Sequence, residues 1–155
     1  MNSQWKILVV DDELIMRESM AAWLMEDGYL VETAESGHEA IELVKNNQFA
    51  ICFIDLKMPG IDGIEAMMEI LKIQPEISAI IITAYASKES IMESMDMGVS
   101  QYLEKPFPRL DVVSDAIEKA LRNYRLRLEF EKQQKSLRET ADRLREISQE
   151  TKLKK

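Results

Sequence analysis

The sequence predicts a doubly wound α/β fold, a five-stranded parallel sheet with helices on both faces and an extended C-terminal helix. Three observations predict it. Short β-rich runs alternate with helical stretches through the first 110 residues. The runs ILVV, ICFI and IIIT are continuously apolar, as strands covered on both faces are. Gly (5) and Pro (4) are scarce, which argues against an all-β chain built on many tight turns.

The elements follow in order. Strands are expected over 5–10, 30–34, 50–54, 79–83 and 100–103, and helices over 14–26, 37–46, 63–73 and 88–97. The first helix places Ile15, Met16, Met20, Trp23 and Leu24 at helical spacing. Ser36, Asp62 and Ser87 stand where helix N-termini need side-chain acceptors, and Gly28 and Gly98 where helices end. From about residue 110 the pattern changes. No Gly or Pro occurs between 109 and 155, so one long helix is expected, from near Leu110 to near Thr151. Its first part (Val112, Val113, Ala116, Ile117, Ala120, Leu121, Tyr124) would pack on the sheet. Beyond it a heptad can be laid down. Phe130, Leu137, Leu144 and Thr151 share one seam position, and Leu126, Gln133, Thr140 and Ile147 the other. Gln133 and Thr140 weaken that seam. A two-chain coiled coil, a single solvated helix and a linker within a longer protein are the alternatives.

Composition limits the function classes. Of 155 residues 46% are hydrophobic and 31% charged, enough for a core and against long disorder. Residues 1–110 carry 19 acidic and 8 basic side chains, and 111–155 carry 9 and 12, together the net charge of -8. An acidic body is a poor binder of phosphate backbones. The mild basic excess of the tail reads as a solvated helix surface. A single cysteine, Cys52, excludes an intramolecular disulfide framework and a cysteine-based zinc site. Apolar runs are too short to span a bilayer, and the MNSQWK start does not read as a signal peptide. A reducing cytoplasm is the expected compartment.

The chemistry lies in where the polar residues fall. Asp11 and Asp12 directly follow the ILVV run, Asp55 the ICFI run, Thr83 ends the IIIT run, and Lys105 follows QYLE. In open α/β sheets ligands bind beyond the carboxyl ends of the strands. If strands one and three are neighbours, three carboxylates converge there. Clustered carboxylates repel one another and need a cation. Oxygen-only ligation points to Mg²⁺ or a similar hard ion. A carboxylate, a divalent cation, a lysine and a hydroxyl are the parts needed to accept a phosphoryl group.

At this point the chain resembles response-regulator receiver domains of two-component signalling. VVDDE at 9–13, DLKMPGIDG at 55–63, TAYA at 83–86 and YLEKPF at 102–107 look like that family's hallmark segments. Each is weak alone; their order, spacing and strand-end positions make the match specific. The resemblance covers residues 5 to about 121. It implies a receiver domain over 1–121, a helical extension over 122–155, and a flavodoxin-like strand order of 2-1-3-4-5.

The resemblance further implies roles. Asp55 would be the phosphoacceptor. Asp12 and Asp55 would ligate Mg²⁺ directly, Asp11 through water, and Lys57 through its main-chain carbonyl. Lys105 would contact the phosphoryl group, and Thr83 would turn its hydroxyl toward it. Tyr102 stands at the switch-aromatic position, and the Lys105–Pro106 bond is usually cis. The face of helix four, strand five and helix five would change on phosphorylation. A sensor histidine kinase is the implied partner, with a homodimer through the C-terminal helix or the helix four to helix five face. No nucleic-acid or membrane contact by residues 1–121 is expected, and no turnover beyond self-phosphorylation and self-dephosphorylation. Tyr85, two after Thr83, would obstruct attacking water and slow loss of the phosphoryl group.

Blander readings apply elsewhere. His38 reads as a surface residue, Cys52 as core, and the methionines mainly as core filling. Two rival functions share part of the pattern. Mg²⁺-dependent phosphatases usually carry a second acidic residue two positions after the nucleophile, where this chain has Lys57. A scaffold with a degenerate receiver typically lacks one site residue, and none is lost here.

Overall fold

The computed structural model describes residues 2–84, 87–106 and 110–154. After a 3-10 turn at Asn2–Gln4 come β1 (Lys6–Val10), α1 (Leu14–Glu26), β2 (Leu30–Ala34), α2 (Gly37–Asn46) and β3 (Ile51–Ile54). Then follow α3 (Gly63–Ile73), β4 (Ser78–Thr83), α4 (Lys88–Asp96), β5 (Gln101–Glu104) and α5 (Leu110–Leu153). The strands form one parallel sheet in the order β2-β1-β3-β4-β5. This is the flavodoxin-like topology, in which the direction of winding reverses between β1 and β3.

Sequence explains which strands sit where. The all-apolar ICFI of β3 and the SAIIIT of β4 are buried throughout, with helices covering both faces. The edge strands β2 and β5, with Glu32, Thr33, Gln101 and Glu104, are largely half-buried. Packed about the central strands lie Leu8, Phe49, Ile54, Met67, Ile70, Ile77 and Ile81, each fully buried.

Helix boundaries follow local chemistry. Ser36 Oγ accepts from the Glu39 N–H, Asp62 Oδ1 from Glu65 and Ser87 Oγ from Ser90, each satisfying a donor that a helix start would otherwise orphan. Gly28, with φ +96°, lets the chain turn from α1 into β2. Gly63 opens α3 for a different reason. A Cβ there would lie 2.2 Å from the Asp55 carbonyl oxygen, so only glycine lets the helix start so close to the end of β3.

Three expectations need correction. The buried stripe of α1 is Arg17, Met20, Ala21 and Leu24, while Ile15 is 82% exposed. Met20 and Leu24 of the expected apolar row are buried and Met16 and Trp23 half-buried, so only Ile15 falls off the inward face, where Arg17 takes a place instead. Val112 is exposed, one position off the α5 row that is buried. The methionines divide: Met20, Met58 and Met67 are core, but Met25, Met68, Met92 and Met95 are exposed. Unbranched side chains suit surface and interior alike, so composition could not sort them.

The chain divides into two compact units, Met1–Tyr124 and Arg125–Lys155. Within the first, the start of α5 buries Val113, Ala116, Ile117, Ala120, Leu121 and Tyr124. Ser78 Oγ donates to the Ala120 carbonyl at 2.7 Å, and Gln101 Nε2 donates to the Ala116 carbonyl at 2.6 Å. Tyr124 meets Trp5 edge to face at 6.0 Å. The second unit is the remainder of α5. No helix among the described residues is long and apolar enough to cross a membrane.

Candidate functional site

The ladder continues past the strand ends and carries the site with it. The Asp11 N–H donates to the Ala34 carbonyl, Asp55 to Val10 and Lys105 to Thr83, all at 3.0–3.1 Å. Asp11 and Asp55 therefore leave neighbouring strands at one edge, and Lys105 arrives beside them from β5. Asp11, Asp12 and Asp55 bring carboxylate oxygens within 4.8 Å of one another. Asp12 faces solvent; Asp11 and Asp55 are buried.

Lys105 supplies the positive charge that holds them. Its Nζ donates to Asp11 Oδ2 at 2.7 Å and to Asp55 Oδ2 at 2.9 Å. The three side chains are only 9%, 6% and 6% exposed, so this is an ion triad largely removed from water. Burial alone would lower the lysine pKa, but the bonds to Asp11 and Asp55 outweigh it and raise the pKa. Burial pushes the Asp11 pKa up; Lys105 opposes this, and the neighbouring Asp55 charge adds to it. Lys105–Pro106 is a cis peptide bond.

The loops are fixed locally. The Glu13 N–H donates to Asp11 Oδ1 at 2.9 Å, and the Lys57 N–H donates to Asp55 Oδ1 at 3.1 Å. Thr83 is fully buried at the end of β4. Tyr102 packs against the core with its hydroxyl buried. Tyr85 and Phe107 lie outside the described residues. His38 is exposed and Cys52 is fully buried.

Two further residues join the site that the strand-end reading passed over. Glu13 Oε1 lies 3.4 Å from Lys105 Nζ. Arg17 reaches back from α1, its Nη1 donating to the Asp11 carbonyl at 2.8 Å. The signal for Arg17 was in the sequence: it sits three, four and seven residues before Met20, Ala21 and Leu24, so a charge stands in an apolar row. A buried guanidinium needs a partner, and the loop carbonyl supplies one.

A parallel sheet with paired carboxylates and a lysine at its carboxyl edge defines a class, and comparison with known proteins gives the family. The response regulator receiver domain matches residues 7–118, and the chain belongs to that family, whose members are signalling proteins. Sporulation initiation phosphotransferase F of Bacillus subtilis is 34% identical over 116 residues, which are 75% of this chain and 93% of that protein. The uncharacterized transcriptional regulatory protein YesN of the same organism is 34% identical over 117 residues, 74% of this chain. That match spans only 32% of YesN. The response regulator TrrA of Thermotoga maritima, solved in complex with Mg(2+)-BeF, superposes with a TM-score of 0.68. It is 35% identical, covering 76% of this chain and 99% of that one.

Proposed function

We propose that the chain is a phospho-accepting switch in which Asp55 takes a phosphoryl group from a sensor histidine kinase or a small phosphodonor in the cytoplasm. The observation that carries this reading is the triad of Asp11, Asp55 and Lys105, with Asp12 beside it, at the carboxyl edge of the sheet. An oxygen of the Asp55 carboxylate attacks the donor phosphorus. The bond from phosphorus to the leaving group breaks, the leaving group keeps the electron pair and takes a proton from solvent, and an acyl phosphate remains. Lys105 turns from pairing carboxylates to neutralising phosphoryl oxygens. The reaction needs positioning and charge compensation more than covalent help.

The donor set fits a hard divalent cation. It is all oxygen, it carries three carboxylates against one lysine, and one carboxylate faces solvent. Asp12 and Asp55 would hold Mg²⁺ directly, Asp11 through water, and Lys57 through its carbonyl. Bound there, the ion supplies neutralisation of charge on the carboxylates and phosphoryl oxygens. The TrrA complex contains Mg(2+)-BeF, which supports the same ion here.

Phosphorylation adds charge and acceptors beside β4. Thr83 meets the phosphoryl group in one state only, and this shifts an existing equilibrium. Tyr102, packed against the core from β5, is the second switch residue, and the surface of α4, β5 and α5 is the output. That output is dimerisation or partner binding, with residues 1–121 as the receiver and 122–155 as its helical extension. Tyr85 slows loss of the phosphoryl group.

Intact-mass spectrometry after incubation with acetyl phosphate and Mg²⁺ tests the reading. One phosphoryl group is expected on the wild type, none with EDTA and none on Asp55→Ala. Equal uptake by Asp55→Ala would overturn it.

A further inference from the structure

The exposed stripe on the second unit carries information about what covers it. Leu126, Phe130, Leu137, Leu144 and Ile147 are 58%, 61%, 64%, 62% and 58% exposed. With Gln133, Thr140 and Thr151 they follow one another in alternating steps of four and three. A straight helix drifts by about 20° per heptad against such a repeat. A seam that keeps this spacing throughout, with five of its eight positions apolar, therefore suits a supercoiled helix better than a flat patch on a globular partner.

Charge is segregated to match. The seam itself holds no charge, and its flanks mix Gln134, Ser136, Ala141 and Ser148 with Arg127, Glu129, Arg143 and Glu150. The outward positions hold Glu131, Lys132, Lys135, Arg138, Glu139 and Asp142. A seam free of charge, with charged and small polar residues on its flanks, is the arrangement of a coiled-coil interface.

The order of layers selects the occupant. We propose that residues 126–151 pair with the same segment of a second copy of this chain, as a parallel, in-register coiled coil whose register is set by Gln133 and Thr140. This rests on the dimer proposed above and commits it to the tail. In register, each of the five apolar residues meets its own counterpart. Gln133 meets Gln133, whose amide both donates and accepts, and Thr140 meets Thr140. A slip of one heptad sets Leu126 against Gln133, Thr140 against Ile147 and Leu144 against Thr151. The antiparallel arrangements of longest overlap set Gln133 and Thr140 against Leu137, Leu144 or Phe130. Each of these buries a polar group against a side chain that cannot satisfy it. A polar layer of this kind fixes register and partner at some cost in stability.

The test uses the full chain, with and without Mg²⁺ and beryllofluoride. Leu126→Cys and Leu144→Cys are equilibrated in a glutathione redox buffer, separately and mixed. Cys52 is fully buried and stays out of the exchange. Disulfides are expected from 126 to 126 and from 144 to 144, because facing seam positions come within disulfide reach only in a parallel, in-register pair. A 126-to-144 disulfide in the mixture would overturn the proposal in favour of antiparallel pairing. Sedimentation of Leu137→Glu/Leu144→Glu gives an independent readout, with dimer affinity expected to fall at least 100-fold while circular dichroism keeps the folded signal of the body. A dimer that survives those changes would overturn the tail as the interface and leave the α4–α5 face. A wild type that stays monomeric in both states would overturn the proposed dimer as well.

Discussion

Leu8 and Leu144 are the same side chain in opposite settings. Leu8 is fully buried in β1, between covering helices, while Leu144 is 62% exposed on the second unit. The difference lies in what their neighbours supply. Around Leu8 the sheet brings distant segments together, so an apolar residue finds its partners within the chain. Leu144 lies on a single helix, exposed within its own unit, and the partner helix proposed above is what would cover it. The body encodes a finished core with charges placed at its edge; the tail encodes half of a core.

That contrast can be broken or sharpened in steps. Leu8→Ala is expected to cost about 2–5 kcal/mol in chemical denaturation, the range for a large buried aliphatic residue cut to alanine. Leu144→Ala, measured at concentrations where the chain is monomeric, is expected to stay within about 0.5 kcal/mol. Comparable losses from both would show that the tail has an intramolecular core.

Gly63→Ala should come next. Its methyl would meet the Asp55 carbonyl oxygen and the Leu56 Cα, which are backbone atoms and cannot swing away. A loss of about 1–3 kcal/mol is expected, together with slower phosphoryl uptake, because the β3–α3 loop that carries Asp55 must move. Unchanged uptake would separate the packing of that loop from its chemistry.

Mg²⁺ should stabilise the body alone. At ten times its dissociation constant the linkage relation gives about 1.4 kcal/mol. The near-ultraviolet melting transition should rise with added Mg²⁺ and Asp12→Ala should abolish the rise. A rise that persists in Asp12→Ala would remove that residue from the ligand set.

The smallest effect concerns Asp11. Its pKa is raised above the ordinary 3.8, chiefly by burial. Folding therefore favours the neutral form. The stability this contributes is present in full below about pH 4 and is lost as the pH rises through the folded-state pKa. Asp11→Asn in EDTA should raise the melting temperature by a few degrees at pH 7, with the gain vanishing toward pH 4, as thermal denaturation across that range would show. Destabilisation at pH 7 would mean that the bond to Lys105 outweighs burial.

Much of this was legible in the sequence because periodicity and strand-end position are local signals. ICFI followed by Asp55 and ILVV followed by Asp11 announced both the strands and the chemistry. The Ser36, Asp62 and Ser87 caps are legible for the same reason: a cap is decided within four residues. What could not be read depended on contacts across the fold. Arg17 faces inward because the Asp11 carbonyl awaits it, and only the folded β1–α1 corner shows that. The burial of Tyr102 depends on how β5 lies beside the core. The heptad of the tail was visible, but the spacing alone left a coiled coil, a solvated helix and a linker open, and the exposure of its seam was not available from sequence.

The central claim is that one carboxylate among the clustered acids accepts the phosphoryl group. Borohydride reduction of the phosphorylated chain converts an aspartyl phosphate to homoserine, and peptide mass spectrometry then locates it. The account predicts homoserine at position 55 and unmodified aspartate at 11 and 12. Homoserine at 11 or 12, or none after confirmed phosphoryl uptake, would contradict it.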